Sequence, residues 1–171
     1  MRRLTTRELS ISSVLAGLSA LSEVNPGPPF DIPFPLMPQI TWDFTGIPIM
    51  LSLFLCGPLG AIYTCIVGCS IILIRGNRVG WLFKAIAELS TVIGFAAFRK
   101  NVIIDSLKAV VFRVATMTVV NYYLLPFLHS IPIKVVLGIL PLIAVFNATQ
   151  AVINIVPAYL IFLRVKGLVK A

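Results

Sequence analysis

Long apolar segments alternate with short polar ones along the whole chain. The segment from Phe44 to Ile74 has no Asp, Glu, Lys or Arg in 31 residues, which exceeds the ~20 residues of one membrane crossing. The sequence Gly57-Pro58-Leu59-Gly60 lies near its middle and is typical of a turn. This pattern therefore predicts two short helices joined by a tight hairpin.

The same alternation predicts an all-α integral membrane protein, a single domain of residues 1–171 that forms a bundle of six transmembrane helices. The predicted spans are residues 7–24, 44–57, 59–75, 81–98, 107–126 and 139–163. Composition agrees, with 58% hydrophobic and 12% charged residues against roughly 25% charged in a soluble domain. We take the first segment as a retained span and not a cleaved signal, because five apolar segments follow it.

Positive charges predict the orientation. Nine Lys and Arg residues fall on one side of the predicted bundle and three on the other, which predicts that both termini are cytoplasmic. The nine are Arg2, Arg3, Arg7, Arg99, Lys100, Lys108, Arg164, Lys166 and Lys170, and the three are Arg75, Arg78 and Lys134. The net charge of +8 is thus a topology signal, and we do not assign nucleic-acid binding.

A proline-rich outer loop connects the first two predicted helices. Six of the twelve prolines lie between residues 25 and 41, which predicts a stiff extended segment without a regular helix. They are Pro26, Pro28, Pro29, Pro33, Pro35 and Pro38. A bare linker would leave several large apolar side chains of this loop in water, so a lid over an outward cavity is favoured over a rigid linker.

Motifs for catalysis and metal binding are missing from the sequence. It has no phosphate-binding Gly-Lys loop, no Gly-x-Ser-x-Gly elbow and no cluster with metal-ligand spacing. Cys56, Cys65 and Cys69 lie inside predicted spans and are expected to be reduced core residues, and His129 falls at an outer loop edge. We therefore expect a protein that is not an enzyme and has no cofactor or metal.

Small residues recur every four positions in two predicted helices. Ser12, Ala16 and Ala20 form one ridge, and a second runs along the third span. Such ridges let helix backbones approach closely in lipid. They serve either internal packing or the docking of a partner protein, and periodicity does not separate the two.

Polar residues in the later spans fall at one depth. With ~1.5 Å of rise per residue, Lys84 and Glu88 lie about 5 and 10 Å below the outer ends, Asn121 about 8 Å, and Asn147 and Gln150 about 12 to 17 Å. They predict either a binding pocket or hydrogen bonds that hold helices together. The charged residues within the spans also have ordinary structural explanations.

The spacing of Lys84 and Glu88 allows an ion pair within one helix. Arg113 is expected to extend its side chain to the inner interface. Aromatic residues at the span ends would give a pocket flat apolar walls, although an interfacial aromatic belt has the same pattern. These aromatics are Trp42, Phe44, Trp81, Phe83, Tyr122 and Tyr123, and Asn154 adds a further amide.

These segments together resemble the substrate-binding S-components of energy-coupling factor (ECF) vitamin transporters, most closely the riboflavin-binding type. The resemblance rests on the order and spacing of motifs over nearly the whole chain. They are Ala16-x-x-x-Ala20, Asp43-Phe44-Thr45-Gly46-Ile47-Pro48, Gly57-Pro58-Leu59-Gly60, Gly80-Trp81-Leu82-Phe83-Lys84, Met117-Thr118-x-x-Asn121-Tyr122-x-x-x-Pro126 and Phe146-Asn147-x-x-Gln150-x-x-x-Asn154.

The resemblance implies a prokaryotic plasma-membrane protein that captures a vitamin from outside, with riboflavin as a transported ligand and not a cofactor. Its implied partners are a membrane coupling subunit, contacted by Ala16 and Ala20, and two cytoplasmic ATPase subunits. The candidate ligand-binding residues are Trp42, Asp43, Phe44, Lys84, Glu88, Asn121, Tyr122, Asn147, Gln150 and Asn154. The alternatives are an S-component for thiamine, folate or pantothenate, and a structural or assembly subunit without transport function.

Three positions depart from the riboflavin-binding type. That type tends to have Asp where this chain has Gly46, Asn where it has Lys84, and Lys where it has Gln150. We hypothesise that the ammonium group of Lys84 replaces the missing lysine from across the same cavity. The opposite interpretation is a changed ligand.

Overall fold

The computed structural model describes residues 4–24, 27, 31–98 and 100–170, and within these residues the chain forms six helices and one β-hairpin. The basic residues Arg2, Arg3 and Arg99 lie outside the described residues, as do Pro26, Pro28 and Pro29 of the proline-rich loop. In chain order the elements are α1 Thr6–Val24, β1 Ile32–Phe34, β2 Met37–Trp42, α2 Gly46–Cys56, α3 Pro58–Ile74, α4 Arg78–Ala96, α5 Val102–His129 and α6 Ile133–Lys170.

Each of the six predicted spans coincides with one helix of the described chain. The last two helices are longer than predicted, since α5 begins at Val102 and α6 extends from Ile133 to Lys170. By length and apolar composition, two described helices qualify as membrane spans, Arg78–Ala96 and residues 133–167. Helices α2 and α3 are apolar but shorter, so the helical bundle is confirmed while six full crossings remain a prediction.

The predicted turn within the long uncharged segment separates α2 from α3. Gly57 has a φ of 82°, a left-handed conformation that glycine adopts without steric cost, and its N–H donates to the Leu53 carbonyl. Pro58 then occupies the first turn of α3, where its missing N–H breaks no helical hydrogen bond. The Gly-Pro pair therefore ends one helix and begins the next.

The connection between α1 and α2 contains strands that the all-α prediction missed. Strands β1 and β2 pair antiparallel, with Ile32 opposite Trp42 and Pro33 opposite Thr41. The prolines are tolerated because each strand of a two-stranded hairpin has one unpaired edge. The extended conformation was predicted correctly, but its pairing was not.

The helices pack around a core in which α2 is central, since it contacts α1, α3, α4 and α6. Cys65 and Cys69 lie in this core, as predicted, beside aliphatic residues of α2. Small residues bring α1 against α3: a Cβ on Gly60 would lie 2.8 Å from Ser12 Oγ, and one on Gly68 would lie 2.7 Å from Ser19 Cβ. The small-residue ridge of α1 is thus an internal contact.

This packing corrects the predicted docking role of Ala16. Its exposed fraction is 0%, because α3 covers it, so it has no surface to offer a partner. Ala20 lies at the edge of the same contact and is partly buried. Its docking role remains a prediction.

Large apolar side chains cover the outside of the bundle. Ile74, Ile103 and Phe127 are about four-fifths exposed, and many Leu and Val residues of α1, α5 and α6 are about half exposed. Soluble monomers rarely expose so much contiguous apolar surface. The lateral surface is that of a protein surrounded by lipid.

Candidate functional site

A cavity of about 550 Å³ opens at the end of the bundle that is predicted to face outside. The hairpin, α4, α5 and α6 form its walls. One face of α5 follows it from top to bottom, because Arg113, Met117, Asn121, Leu125 and His129 recur every four residues and all line it. Its size is that of a typical small-molecule site.

The hairpin forms one wall of the cavity through residues of β2. Phe34 is 3% exposed and packs against the rings of Trp42 and Phe146, at centroid distances of 5.1 and 5.6 Å. Trp42 Nε1 donates to Thr149 Oγ1 at 3.0 Å. These contacts attach the hairpin to α6. The cavity-lining residues of β2 are Met37, Gln39, Ile40 and Thr41.

Asp43 connects the end of the hairpin to α6 and α4. Its backbone N–H donates to Gln150 Oε1 at 3.2 Å, and its carbonyl accepts from Gln150 Nε2 at 2.8 Å, so the side-chain amide pairs with the peptide as a second strand would. Its carboxylate accepts from the Thr45 N–H and from Lys84. Burial raises the pKa of Asp43, but Lys84 and the hydrogen bonds outweigh burial, so the pKa lies below its ordinary value.

Lys84 pairs with other segments and not with Glu88, which corrects the predicted ion pair within α4. Its ammonium group contacts the Asp43 carboxylate and lies 3.4 Å from Glu23 Oε1 near the end of α1. Glu23 also accepts from Thr45 Oγ1 at 2.6 Å. The lysine thus links α4, α1 and the residues before α2 at the cavity wall.

Glu88 forms a buried ion pair with Arg113, which corrects the predicted position of that arginine. Arg113 is 2% exposed and lies inside the bundle, not at the inner interface, with Nη1 at 2.9 Å from Glu88 Oε1. Nη1 also donates to Thr91 Oγ1, and Nε donates to Asn147 Oδ1. Two charges in the protein interior are stable only when paired and hydrogen-bonded in this way.

Asn154 and Gln150 belong to the same network below the cavity. Asn154 Nδ2 lies 3.1 and 2.9 Å from the two oxygens of Glu88, and Asn154 Oδ1 accepts from Gln150 Nε2 at 3.0 Å. Both N–H groups of Gln150 are therefore engaged, one with Asn154 and one with Asp43. These amides hold the helices and the hairpin in place.

Gly46 makes room for this network. A Cβ at position 46 would lie 1.9 Å from Asn154 Nδ2 and 2.5 Å from Glu88 Oε2. No other residue fits without displacing both side chains. The absence of a side chain at Gly46 is therefore required by the acid and the amide that lie against it.

The structure brings five of the predicted binding residues to the cavity wall and places five elsewhere. Those that line the cavity are Asp43, Lys84, Asn121, Asn147 and Gln150. Glu88 and Asn154 are fully buried beneath it. Trp42, Phe44 and Tyr122 do not line it: Trp42 attaches the hairpin to α6, and Tyr122 contacts the ring of Tyr123.

Sequence reasoning missed four charged residues of the cavity. Arg75, Arg113, Glu23 and Asp31 all line it. The sequence did contain a signal for Arg113. Glu88 lies deep in a predicted span, and a buried acid of this kind needs a basic partner at the same depth. Glu23 and Asp31 could also have been singled out, because few acidic residues lie near the predicted outer end of the bundle.

Among the described residues, the cavity and the layer directly beneath it hold four carboxylates and three cations. Three acids line it and Glu88 lies beneath it, so four of the chain's six acidic residues converge here. Three bases, Arg75, Lys84 and Arg113, oppose them. An anion entering this cavity would meet a surplus of negative charge.

The fold of the chain is that of the S component of a bacterial ECF transporter. The solved structure of that protein aligns with a TM-score of 0.78 at 22% sequence identity, over 96% of this chain and 98% of that chain. No protein-family model matches the sequence, and no curated protein matches it. At this identity the likeness establishes the fold.

Proposed function

We propose that this chain is the substrate-binding subunit of an ECF-type vitamin uptake transporter. The observation that carries the proposal is a 550 Å³ cavity with converging polar side chains in a bundle that has the fold of an S component. The chain captures its ligand from outside and supplies no chemistry of its own. ATP hydrolysis belongs to two cytoplasmic partner subunits, and a membrane coupling subunit joins them to this chain in the plasma membrane of a prokaryote.

The proposed ligand is riboflavin or a related flavin. Apolar groups such as Phe83, Phe146 and Met37 supply a surface for a planar ring, and Asn121 supplies an amide. One departure from the riboflavin-binding type supports the hypothesis of a displaced lysine. Lys84 brings an ammonium group to the cavity that Gln150 also lines.

The charge of the cavity favours thiamine over the other alternative vitamins. Folate and pantothenate are anions, and the surplus of carboxylates around Lys84 and Arg75 opposes their entry. Thiamine is a cation, which this surplus would attract. It is therefore the second candidate ligand.

A structural or assembly subunit without transport function is disfavoured by the cavity itself. Polar groups that served only to hold helices together would bond across helices, as Asn154 of α6 and Glu88 of α4 do. Asn121 is different, because its Nδ2 donates to the Met117 carbonyl of its own helix while the side chain lines the cavity. That arrangement connects no second helix.

For partner docking, the exposed side of α1 is the candidate surface, with Ala20 at its edge. A test is Ala20→Trp, with assembly of the coupling and ATPase subunits as the readout. We expect the isolated chain to fold and the complex to fail to assemble. Normal assembly and transport by Ala20→Trp would contradict the proposal that α1 belongs to the docking surface.

The test of the binding function is a panel of vitamins added to the purified chain, with the melting temperature as the readout. Riboflavin, thiamine, folate and pantothenate are compared at one concentration. Stabilisation by riboflavin supports the first candidate, and stabilisation by thiamine alone supports the second. A folded chain that none of the four stabilises would contradict the proposed function.

A further inference from the structure

Arg113 is the deepest residue of the α5 face that lines the cavity. It lies sixteen residues below His129 at the mouth, or about 24 Å along the helix axis. Its side chain is 2% exposed, so its small accessible surface lies at the cavity floor. Any ligand that fills the cavity will approach it.

Three of the five N–H groups of Arg113 are engaged by protein side chains. Nε donates to Asn147, and Nη1 donates to Glu88 and Thr91. Among the described residues, no hydrogen bond engages Nη2, which carries the other two N–H groups. These three hydrogen bonds fix the orientation of the guanidinium group. The two N–H groups of Nη2 are therefore donors with a fixed direction.

We propose that Arg113 is a ligand-binding residue, whose Nη2 donates to an uncharged oxygen acceptor of the ligand at the cavity floor. This inference rests on the proposed function. It specifies the group that the ligand presents at the cavity floor, which is a carbonyl or hydroxyl oxygen. A ligand that fills the cavity displaces water from Nη2, and a donor left without a partner there is costly. A ligand that satisfies Nη2 therefore gains affinity, and one without an acceptor at this point is rejected.

The charges around Arg113 define the class of acceptor. Glu88 already neutralises the guanidinium at 2.9 Å, and the three carboxylates of the cavity lining then face two remaining cations, Arg75 and Lys84. A ligand carboxylate or phosphate at Nη2 would lie close to the oxygens of Glu88 without a second cation to offset it. The floor therefore selects an uncharged oxygen over an anionic one.

The test removes Nη2 in two ways and measures riboflavin affinity by quenching of flavin fluorescence. The double variant Arg113→Met with Glu88→Gln removes both charges and so avoids an unpaired buried carboxylate. Arg113→Lys keeps a cation beside Glu88 but has no second nitrogen for the cavity. Glu88→Gln alone keeps the guanidinium, and Arg78→Lys, outside the cavity lining, is the matched control for an Arg-to-Lys change.

We expect both Arg113 variants to remain monodisperse and to bind riboflavin about ten- to a hundredfold more weakly than the wild type. Arg78→Lys should bind as the wild type does, and Glu88→Gln should bind at least about tenfold more tightly than the double variant. Unchanged affinity in either folded Arg113 variant would overturn the inference. An equal loss in Glu88→Gln would overturn it too, because the ion pair and not Nη2 would then be the cause.

Pantothenate is the anionic probe. Wild-type protein that binds pantothenate more tightly than riboflavin would overturn the assignment of an uncharged acceptor. Wild-type protein that is stabilised by none of the vitamins in the panel would overturn the proposed function itself. If the wild type binds riboflavin and the variants without Nη2 bind it equally well, the inference fails and the proposed function stands.

Discussion

The carboxylate of Glu88 lies 2.5 Å from the point that a Cβ on Gly46 would occupy. The start of α2 is therefore in direct contact with the buried acid of α4, and Asn154 of α6 lies against the same point at 1.9 Å. This contact joins three helices directly below the cavity. It makes the backbone of Gly46 part of the wall that holds Glu88 in place for Arg113.

Adding one methyl group at this position should be destabilising. In Gly46→Ala, the new Cβ displaces Asn154 and Glu88, and overpacking of this kind costs about 1 to 3 kcal/mol. We expect a lower melting temperature and weaker ligand binding. The control is Gly17→Ala on α1, where nothing lies within 4 Å of the new Cβ and the higher helix propensity of alanine adds up to about 1 kcal/mol of stability. Equal melting temperatures for the two variants would contradict the packing described for Gly46.

Replacing the amide of Gln150 should loosen the hairpin. In Gln150→Glu, the donors to the Asp43 carbonyl and to Asn154 are lost, and a carboxylate enters next to an acidic cluster. We expect faster hydrogen exchange at backbone amides of β2, which that pairing holds against α6. Gln39→Glu also brings a carboxylate to the cavity, but no hydrogen bond of its side chain is seen among the described residues, so it should leave this exchange unchanged. Unaltered exchange in Gln150→Glu would show that Trp42 and Phe34 alone hold the hairpin.

The ion pair of Asp43 should make stability depend on acidic pH. Its pKa is lowered in the folded chain, so its contribution is complete above the unfolded value of about 3.9 and is lost as pH falls through the folded value. The melting-temperature difference between wild type and Asp43→Asn should be constant from about pH 5 to pH 8 and should shrink below about pH 4. A difference that grew as pH fell would contradict the assigned direction of the shift.

Two asparagines of the cavity should respond differently to truncation. Among the described residues, Asn121 bonds only to its own helix, so Asn121→Ala should weaken ligand binding by about tenfold and change stability by less than about 0.5 kcal/mol. Asn147 accepts from Arg113 Nε, so Asn147→Ala leaves a buried donor unpaired and costs about 1 to 3 kcal/mol as well. Paired measurements of melting temperature and affinity separate the two effects. Loss of stability without loss of binding in Asn121→Ala would favour a structural role.

Local signals in the sequence predicted the helices well. The uncharged run ending at Ile74 and the Gly57-Pro58 turn depend on neighbouring residues alone, and both predictions are confirmed by α2 and α3. The pairing of β1 with β2 was not predictable in this way, because it depends on contacts such as Phe34 with Phe146 of a distant helix. Prolines obscured the strand pattern further.

The ion pairs were predicted wrongly because sequence spacing shows which residues can meet, not which do. Lys84 and Glu88 are one turn apart, yet each has a closer partner on another segment, Asp43 and Arg113 respectively. Arg113 was also placed too near the inner surface. The predicted span began at residue 107, whereas α5 begins at Val102, so the arginine lies well inside the helix.

The most direct test of the account is a riboflavin titration of the purified wild-type chain, followed by flavin fluorescence. We predict saturable quenching with one flavin bound per chain, and weaker quenching in Asn121→Ala at unchanged melting temperature. The proposed binding site is the cavity lined by Asn121, Lys84 and Arg113. Flavin fluorescence that stays unquenched at micromolar concentrations of folded protein would contradict the assignment of riboflavin as the ligand.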